Sequence, residues 1–362
     1  MSATAQEGPD SPVLVHVDGH AGHLVLNRPR AINALTHEMV AILQRTLDAW
    51  RDDDAIRTVV LTGAGERGLC AGGDIVSIHA DAVSDGPAED SASAAFWHDE
   101  YVLNATIAAY PKPYVAIMDG IVLGGGVGVS AHARHRVVTE RSSIGMPETG
   151  IGFVPDVGGT WLLGHAPGEL GTHLALTAGA VRAGDAIEIG LADVYVPTES
   201  LPDLLAALAE GEAGDVLARA AQPVPVAPLA ADRDWIDRCY AGDDVATILA
   251  RLHAAPEEAA QRAGALVASR SPTALSVTLR ALRSARALPD LGAALAQEYR
   301  IVVRFLDTPD FAEGVRAAVI DKDRNPAWRP ADLADIQPAS IDEFFAPLTH
   351  ELRLAPATGG TA

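Results

Sequence analysis

The sequence is poor in cysteine: Cys70 and Cys239 are the whole complement in 362 residues. Two thiols make no disulfide framework, and the absence of any CxxC pair removes the usual zinc clip. A reducing compartment is the expectation. Basic residues are also short. Lys and Arg number 27 against 48 Asp and Glu, a formal charge of −21. Nucleic acid and anionic membranes call for clustered cations, so neither is expected as a partner. A small anionic ligand is not excluded, because a site can be locally positive or use main-chain N–H groups. HExxH, G-x-x-x-x-G-K-[ST] and G-x-S-x-G are all missing. Their absence argues against a zinc-protease helix, a P-loop and a serine-hydrolase elbow. His132 and His135 are close in sequence but read as surface or packing residues, so no metal is expected. The opening MSATAQEGPDSP has neither an apolar signal core nor the Arg-rich, acid-poor look of a transit peptide. With the Ala- and Arg-rich composition, that makes a bacterial cytoplasmic protein the expectation.

What is present is a globular chain, 48% hydrophobic and 21% charged, long enough for a large core. Residues 114–131 are apolar enough to suggest a membrane span, but Asp119 and five glycines fit a buried strand, a loop and a helix start better. The first half alternates strand and helix. Val13–Val17 and His23–Leu26 read as strands around a turn at Asp18-Gly19. Thr36 can cap a helix that presents Met39, Leu43, Leu47 and Trp50 at helical spacing. Thr58–Leu61 reads as a buried strand, Trp97–Tyr110 as a helix and Tyr114–Met118 as the next strand. Val137-Val138 begins another strand, and residues 143–159 are too rich in Gly and Pro to be regular. Residues 80–94 are small and acidic and read as an exposed, mobile segment. After about residue 200 the texture becomes helical. Leu201–Gln222 is Ala/Leu-rich, residues 223–228 form a stiff Pro-rich connector, and Ser271-Pro272 and Thr308-Pro309 are helix openings.

Two glycine loops follow strands, CAGGD (Cys70–Asp74) and GGGVG (Gly124–Gly128). Each can bring a main-chain N–H to a ligand, and two from separate strands can meet on one carbonyl oxygen. Each can equally be a tight turn where helix and sheet pack closely. A dinucleotide fingerprint over Gly63, Gly65 and Gly68 lacks the helix that should follow it. Glu148 and Asp156 stand eight residues apart in MPETGIGFVPD. Apolar neighbours such as Ile144, Met146 and Phe153 should raise their proton affinity and suit them to acid–base work. Ordinary loop carboxylates that cap helices are the other reading.

Together, LNRPRAINALTHEM, CAGGDI, KPYVAIMDGIVLGGGVG and MPETGIGFVPDVGG resemble the crotonase (enoyl-CoA hydratase/isomerase) superfamily in order and spacing. The resemblance implies an α/β fold, a spiral of ββα units over residues 13–200 with a helical C-terminal extension over 201–345. It implies an acyl-CoA thioester as the small-molecule substrate and partner, and no cofactor, since coenzyme A arrives with the substrate. It places the two oxyanion N–H groups on Gly73 and Gly125. Hydratases of this family use two glutamates. The second falls on Glu148, but the first falls on Gly128, which leaves ordinary hydration in doubt. Asp156, where hydratases commonly carry glycine, is a second departure. Both departures resemble the family's 3-hydroxyisobutyryl-CoA hydrolase branch, as do SPTALSVTLR, ALAQEYRIVVRFL and DFAEGVRAAVIDKDRNPAWRPADL further on. That branch implies thioester hydrolysis in valine breakdown, with Glu148 as base or nucleophile and Asp156 on the substrate hydroxyl. It puts Glu100, in FWHDEYVLN, on the substrate hydroxyl or a water. Enoyl-CoA hydratase or isomerase activity is the alternative, and a non-catalytic acyl-CoA-binding member a more distant one. Arg28, beside the LNRP turn, is a candidate for the CoA mouth or a plain surface arginine. Crotonase relatives are often trimers or hexamers, so a homo-oligomer is an expectation, although the C-terminal helices can cover the same surface.

Overall fold

The computed structural model describes residues 10–354. Strands β1 (Val13–Asp18) and β2 (Ala21–Leu26) form an antiparallel hairpin, with His16 opposite His23. Helix α1 (His37–Arg51) starts where the sequence places it, with the Thr36 hydroxyl accepting from the Met39 N–H. Then come β3 (Thr58–Gly63), α2 (Ile75–Ala82), α3 (Ala92–Ala108), β4 (Tyr114–Met118), β5 (Ile121–Leu123) and α4 (Gly125–Ser130). They are followed by β6 (His135–Val138), β7 (Ser143–Gly145), α5 (Gly159–Gly164), α6 (Leu170–Thr177), β8 (Ala180–Val181), α7 (Ala183–Glu188) and β9 (Val194–Tyr195).

The strands make a six-stranded sheet, β1-β2-β3-β4-β6-β9, and a three-stranded sheet, β5-β7-β8. The connection between the sheets explains the spiral. One turn sends β4 to the large sheet, β5 to the small sheet and then α4 back. The next repeats this with β6, β7 and, after a loop, α5. The preceding turn does the same in reduced form. After β3, Gly68 and Cys70 bridge to Gly120 and Val122 at the edge of the small sheet, and α2 follows. Gly73 and Gly125 therefore occupy equivalent places in successive turns, between a small-sheet strand and a helix.

From residue 201 on, every described α element is helical and no strand intervenes. They are α8 (Leu201–Glu210), α9 (Ala213–Ala220), α10 (Pro228–Tyr240), α11 (Val245–Ala254), α12 (Glu258–Ala268), α13 (Pro272–Ala285), α14 (Leu291–Phe305), α15 (Pro309–Val315) and α16 (Pro338–Phe345). The π-helical turn Arg316–Ile320 continues α15. Strand residues alternate between two cores, as a period of two demands. Val59, Leu61 and Ala116 face a core that runs from Val13 to Leu352 and takes in the C-terminal helices. Val60, Val115 and Ile117 face a smaller one closed by α8 and α9.

Several local expectations need correction. Gly211 breaks Leu201–Gln222 into two helices. Helix α3 begins five residues before Trp97, and residues 80–94 are partly built in. The Asp81 carboxylate accepts from the Ser93 N–H and hydroxyl at 2.7 and 2.6 Å, while Ala88, Ser93 and Ala94 are buried. Ser271 caps α13 through the Ala274 N–H, but the Thr308 hydroxyl donates back to the Phe305 carbonyl and caps nothing. Among the described residues no helix is long and apolar enough to cross a membrane.

Candidate active site

A cavity of about 220 Å³ opens between α2, α3, the start of α4 and the Glu148–Asp156 segment. Gly73, Gly125, Glu100, Glu148 and Asp156 all line it, with Trp97, Phe153 and Val319 among its apolar walls. Residues far apart in sequence thus meet, and Val319 brings the C-terminal region into the lining.

One wall is main chain. Gly125 is the first residue of α4, so its N–H has no intrahelical acceptor. Among the described residues neither it nor the Gly73 N–H finds a main-chain partner. The two are close: a Cβ built on Gly125 would stand 3.4 Å from the Gly73 nitrogen. Glycine keeps these carboxylates in place. The same Cβ would fall 2.7 Å from Glu100 Oε1, and a Cβ on Gly124, where φ is +49°, would fall 2.8 Å from Glu148 Oε1. A side chain at either position would push a carboxylate aside. The glycines make room for two carboxylates and leave two N–H groups bare, at the N-terminus of a helix, where negative charge is favoured.

The other wall is acidic and buried. Helix α3 puts Trp97, Glu100, Tyr101 and Asn104 on one face, at positions i, i+3, i+4 and i+7, and all four are buried. Glu148 opens the short 3₁₀ turn Glu148–Ile151, and Asp156 sits in the loop before α5. Asp156 accepts from the Tyr101 hydroxyl at 2.8 Å. Glu100 Oε1 and Glu148 Oε2 are buried with no hydrogen-bond partner. Burial raises the proton affinity of Glu148 well above the usual carboxylate range, and the Asp156 and Glu298 charges raise it further. Burial also raises Glu100 and Asp156, which repel one another. The Tyr101 bond favours charge on Asp156, so of the two it is Glu100 that more readily holds a proton.

The Asp156 loop is under strain. Val157 has φ +52°, a left-handed conformation that a β-branched residue adopts at a cost of about 1–3 kcal/mol. Surrounding contacts hold it there. The His132 ring pairs with the Val157 carbonyl at 2.7 Å, and burial lowers the proton affinity of that imidazole to about 4. A neutral ring donating through Nε2 fits both facts. The Glu298 carboxylate accepts from the Gly158 and Thr160 N–H groups on the far side.

Three of these residues carried no separate signal in the sequence. Tyr101 and Asn104 were legible only as polar positions beside Trp97 and Glu100 on one helical face. Glu298 lies some 140 positions from the loop it holds. Arg28 does not line the cavity. Its guanidinium pairs with Asp74 at 3.0 Å and donates to the Ala34 carbonyl at 2.5 Å, bracing the residue after Gly73. His132 and His135 join no metal-binding cluster among the described residues.

The bare N–H pair, the carboxylates and the spiral define an enzyme of the enoyl-CoA hydratase/isomerase family. The family profile matches residues 21–345, and the chain belongs to that family. Among its relatives, the 3-hydroxyisobutyryl-CoA hydrolase, mitochondrial, of Danio rerio is 38% identical over 349 residues, covering 93% of this chain and 90% of the relative. A crystal structure described as a carnitinyl-CoA dehydratase from Mycobacterium thermoresistibile is 51% identical, with a TM-score of 0.92 over 96% of this chain and all of that one. Another, described as an enoyl-CoA hydratase from Rhodobacter sphaeroides, is 43% identical, with a TM-score of 0.87 over 93% of this chain and 98% of that one. The cytoplasmic expectation is corrected by these comparisons: the curated relatives from Danio rerio, Rattus norvegicus and Bos taurus are all named as mitochondrial. Composition and the opening residues were poor guides to compartment.

Proposed function

We propose that this protein hydrolyses the thioester of 3-hydroxyisobutyryl-CoA, releasing the hydroxy acid and free coenzyme A. Gly128 carries the choice between hydrolysis and hydration. A hydratase of this family needs a glutamate there, and this chain has no space for one. A Cβ at Gly128 would stand 2.7 Å from Val157 Cβ and 2.9 Å from Asn104 Nδ2. The strained loop that carries Asp156 fills the place of the missing acid. The name of the Danio rerio relative supports the same substrate.

In this reading the thioester oxygen accepts from the Gly73 and Gly125 N–H groups, and each donor is worth roughly 2.7–4 kcal/mol as the oxygen becomes negative. Glu148, with Oε2 unpartnered and of raised proton affinity, takes the proton of a water as the water oxygen bonds to the carbonyl carbon. The C–S bond then breaks, and the thiolate receives a proton to leave as coenzyme A. In a second route the Glu148 carboxylate attacks first, expels the thiolate as an acyl–enzyme anhydride, and water cleaves the anhydride. ¹⁸O from labelled water appearing in Glu148 after one turnover identifies that route. Asp156 as a carboxylate can accept from the substrate β-hydroxyl, and Glu100 in its protonated form can donate to it.

The Mycobacterium thermoresistibile structure favours a second reading, reversible loss of water from a β-hydroxyacyl-CoA. An acyl-CoA panel separates the two. Free thiol released from 3-hydroxyisobutyryl- and 3-hydroxypropionyl-CoA, without hydration of crotonyl-CoA at about 263 nm, is the hydrolase result. Hydration without thiol release reverses the assignment.

A further inference from the structure

Glu298 stands in the middle of α14, fully buried, in a region of the chain that contributes no carboxylate to the cavity. Burying a carboxylate without a cation is costly, and among the described residues no cation pairs with this one. Burial pushes its proton affinity up to about 8, against the pull of the donors around it. Every one of those donors comes from the junction of the Asp156 loop and the first turn of α5. The Gly158 N–H reaches Oε2 at 2.6 Å, the Thr160 N–H reaches Oε1 at 2.8 Å, and the Thr160 hydroxyl also donates to Oε1. An apolar side chain would anchor α14 more cheaply. What it would not do is hold two N–H groups that begin two residues after Asp156. The loop needs such a hold: Val157 is in a left-handed conformation, and the Gly159 N–H already closes onto the Asp156 carbonyl at 2.6 Å.

We propose that Glu298 is the positioning residue for Asp156: its carboxylate pins the Gly158–Thr160 turn, so that the helical C-terminal region fixes where Asp156 points inside the cavity of the spiral. The Tyr101 hydroxyl fixes the side chain of Asp156, and Glu298 fixes the main chain behind it. The inference rests on the hydrolase reading only for its choice of substrates. Asp156 is the group set to read the β-hydroxyl, so a displaced Asp156 damages recognition of that hydroxyl first.

The test compares kcat/KM for 3-hydroxyisobutyryl-CoA with that for isobutyryl-CoA, which differs by the hydroxyl alone. In Glu298→Gln an amide N–H faces the Gly158 N–H, and the turn loses its hold. The preference for the hydroxylated substrate is expected to fall about tenfold to a hundredfold, the scale of a displacement near 1 Å. Activity on isobutyryl-CoA should change much less. An equal fall on both substrates, or an unchanged preference, overturns the proposal and leaves Glu298 as a fastening for α14. Should that variant not fold, Thr160→Val removes one donor in an isosteric side chain. About a two- to tenfold loss of preference is then expected, and no loss overturns the proposal. Should the wild type cleave neither thioester, the hydrolase reading fails and amide hydrogen exchange decides. Faster exchange in Glu298→Gln confined to residues 156–160 upholds the positioning role, and unchanged exchange there overturns it.

Discussion

The two walls of the cavity achieve opposite things by opposite means. The Gly73–Gly125 wall has no side chains, does not titrate, and takes its geometry from a spiral that repeats one backbone position in successive turns. The Glu100–Glu148–Asp156 wall is made of side chains from unrelated elements, all buried, all with raised proton affinity, and braced by Tyr101, His132 and Glu298. The main-chain wall is the fold's own product. The acidic wall is added to it, against the cost of burying charge. In the proposed function the main-chain wall holds the oxyanion, and the carboxylates that stand opposite decide which reaction follows.

The largest expected effect breaks the acidic wall. Glu148→Gln should lower kcat on 3-hydroxyisobutyryl-CoA by about 10²–10⁴-fold with a smaller change in KM, read as thiol release. Near-normal turnover would remove Glu148 from the chemistry. The same variant removes a buried charge that the fold tolerates poorly. Its stability at neutral pH should rise by about 0.5–2 kcal/mol, measured by denaturant unfolding. Breaking the main-chain wall comes next. Gly125→Ala puts a Cβ where Glu100 Oε1 stands and should cost about 10²–10³-fold in kcat, as loss of one oxyanion donor does. An unaffected enzyme would show that the N–H pair is only a packing turn.

A pH profile sharpens the contrast, because only one wall titrates. Glu148 must be ionised to act, and its folded proton affinity is raised by burial first and by Asp156 second. kcat/KM should therefore fall with falling pH along a limb that lies above the ordinary glutamate value of about 4.3. Asp156→Asn removes the repelling charge, so the limb should move to lower pH. The linked stability has the opposite sense: the folded state holds protons the unfolded chain has already lost. Stability thus decreases as pH rises from the ordinary carboxylate range toward the raised values. A limb at an ordinary carboxylate pKa would mean that Glu148 is solvated in the working enzyme.

The main-chain wall was largely legible before the structure and the acidic wall only in part. Glycine loops after strands, CAGGD and GGGVG, marked where a main-chain N–H can meet a ligand, and the resemblance to the crotonase superfamily singled out Gly73 and Gly125 within them. The acidic wall depends on contacts across the chain. Nothing local in ALAQEYR says that Glu298 reaches a loop some 140 positions earlier, and the glycine at 128 does not reveal that Val157 and Asn104 occupy the space beside it. Residues 80–94 misled for a related reason. Their composition is that of a loop, but Asp81 ties down Ser93, and the Ser91 hydroxyl accepts from the Ala94 N–H to start α3 early.

The smallest effect concerns Arg28, which touches neither wall but stands behind one. It pairs with Asp74, the residue after Gly73, and both side chains are 29% exposed. An ion pair so open to solvent is worth about 0.2–1 kcal/mol, so Arg28→Ala should lower kcat about two- to fivefold by loosening the loop that aims the Gly73 N–H. The loss should be the same for a CoA thioester and for a truncated thioester without the phosphates, because the guanidinium is already engaged by Asp74 and the Ala34 carbonyl. A rise in KM confined to the full CoA thioester would instead make Arg28 a phosphate ligand at the mouth. The main-chain wall would then depend on a residue whose first duty is to the substrate.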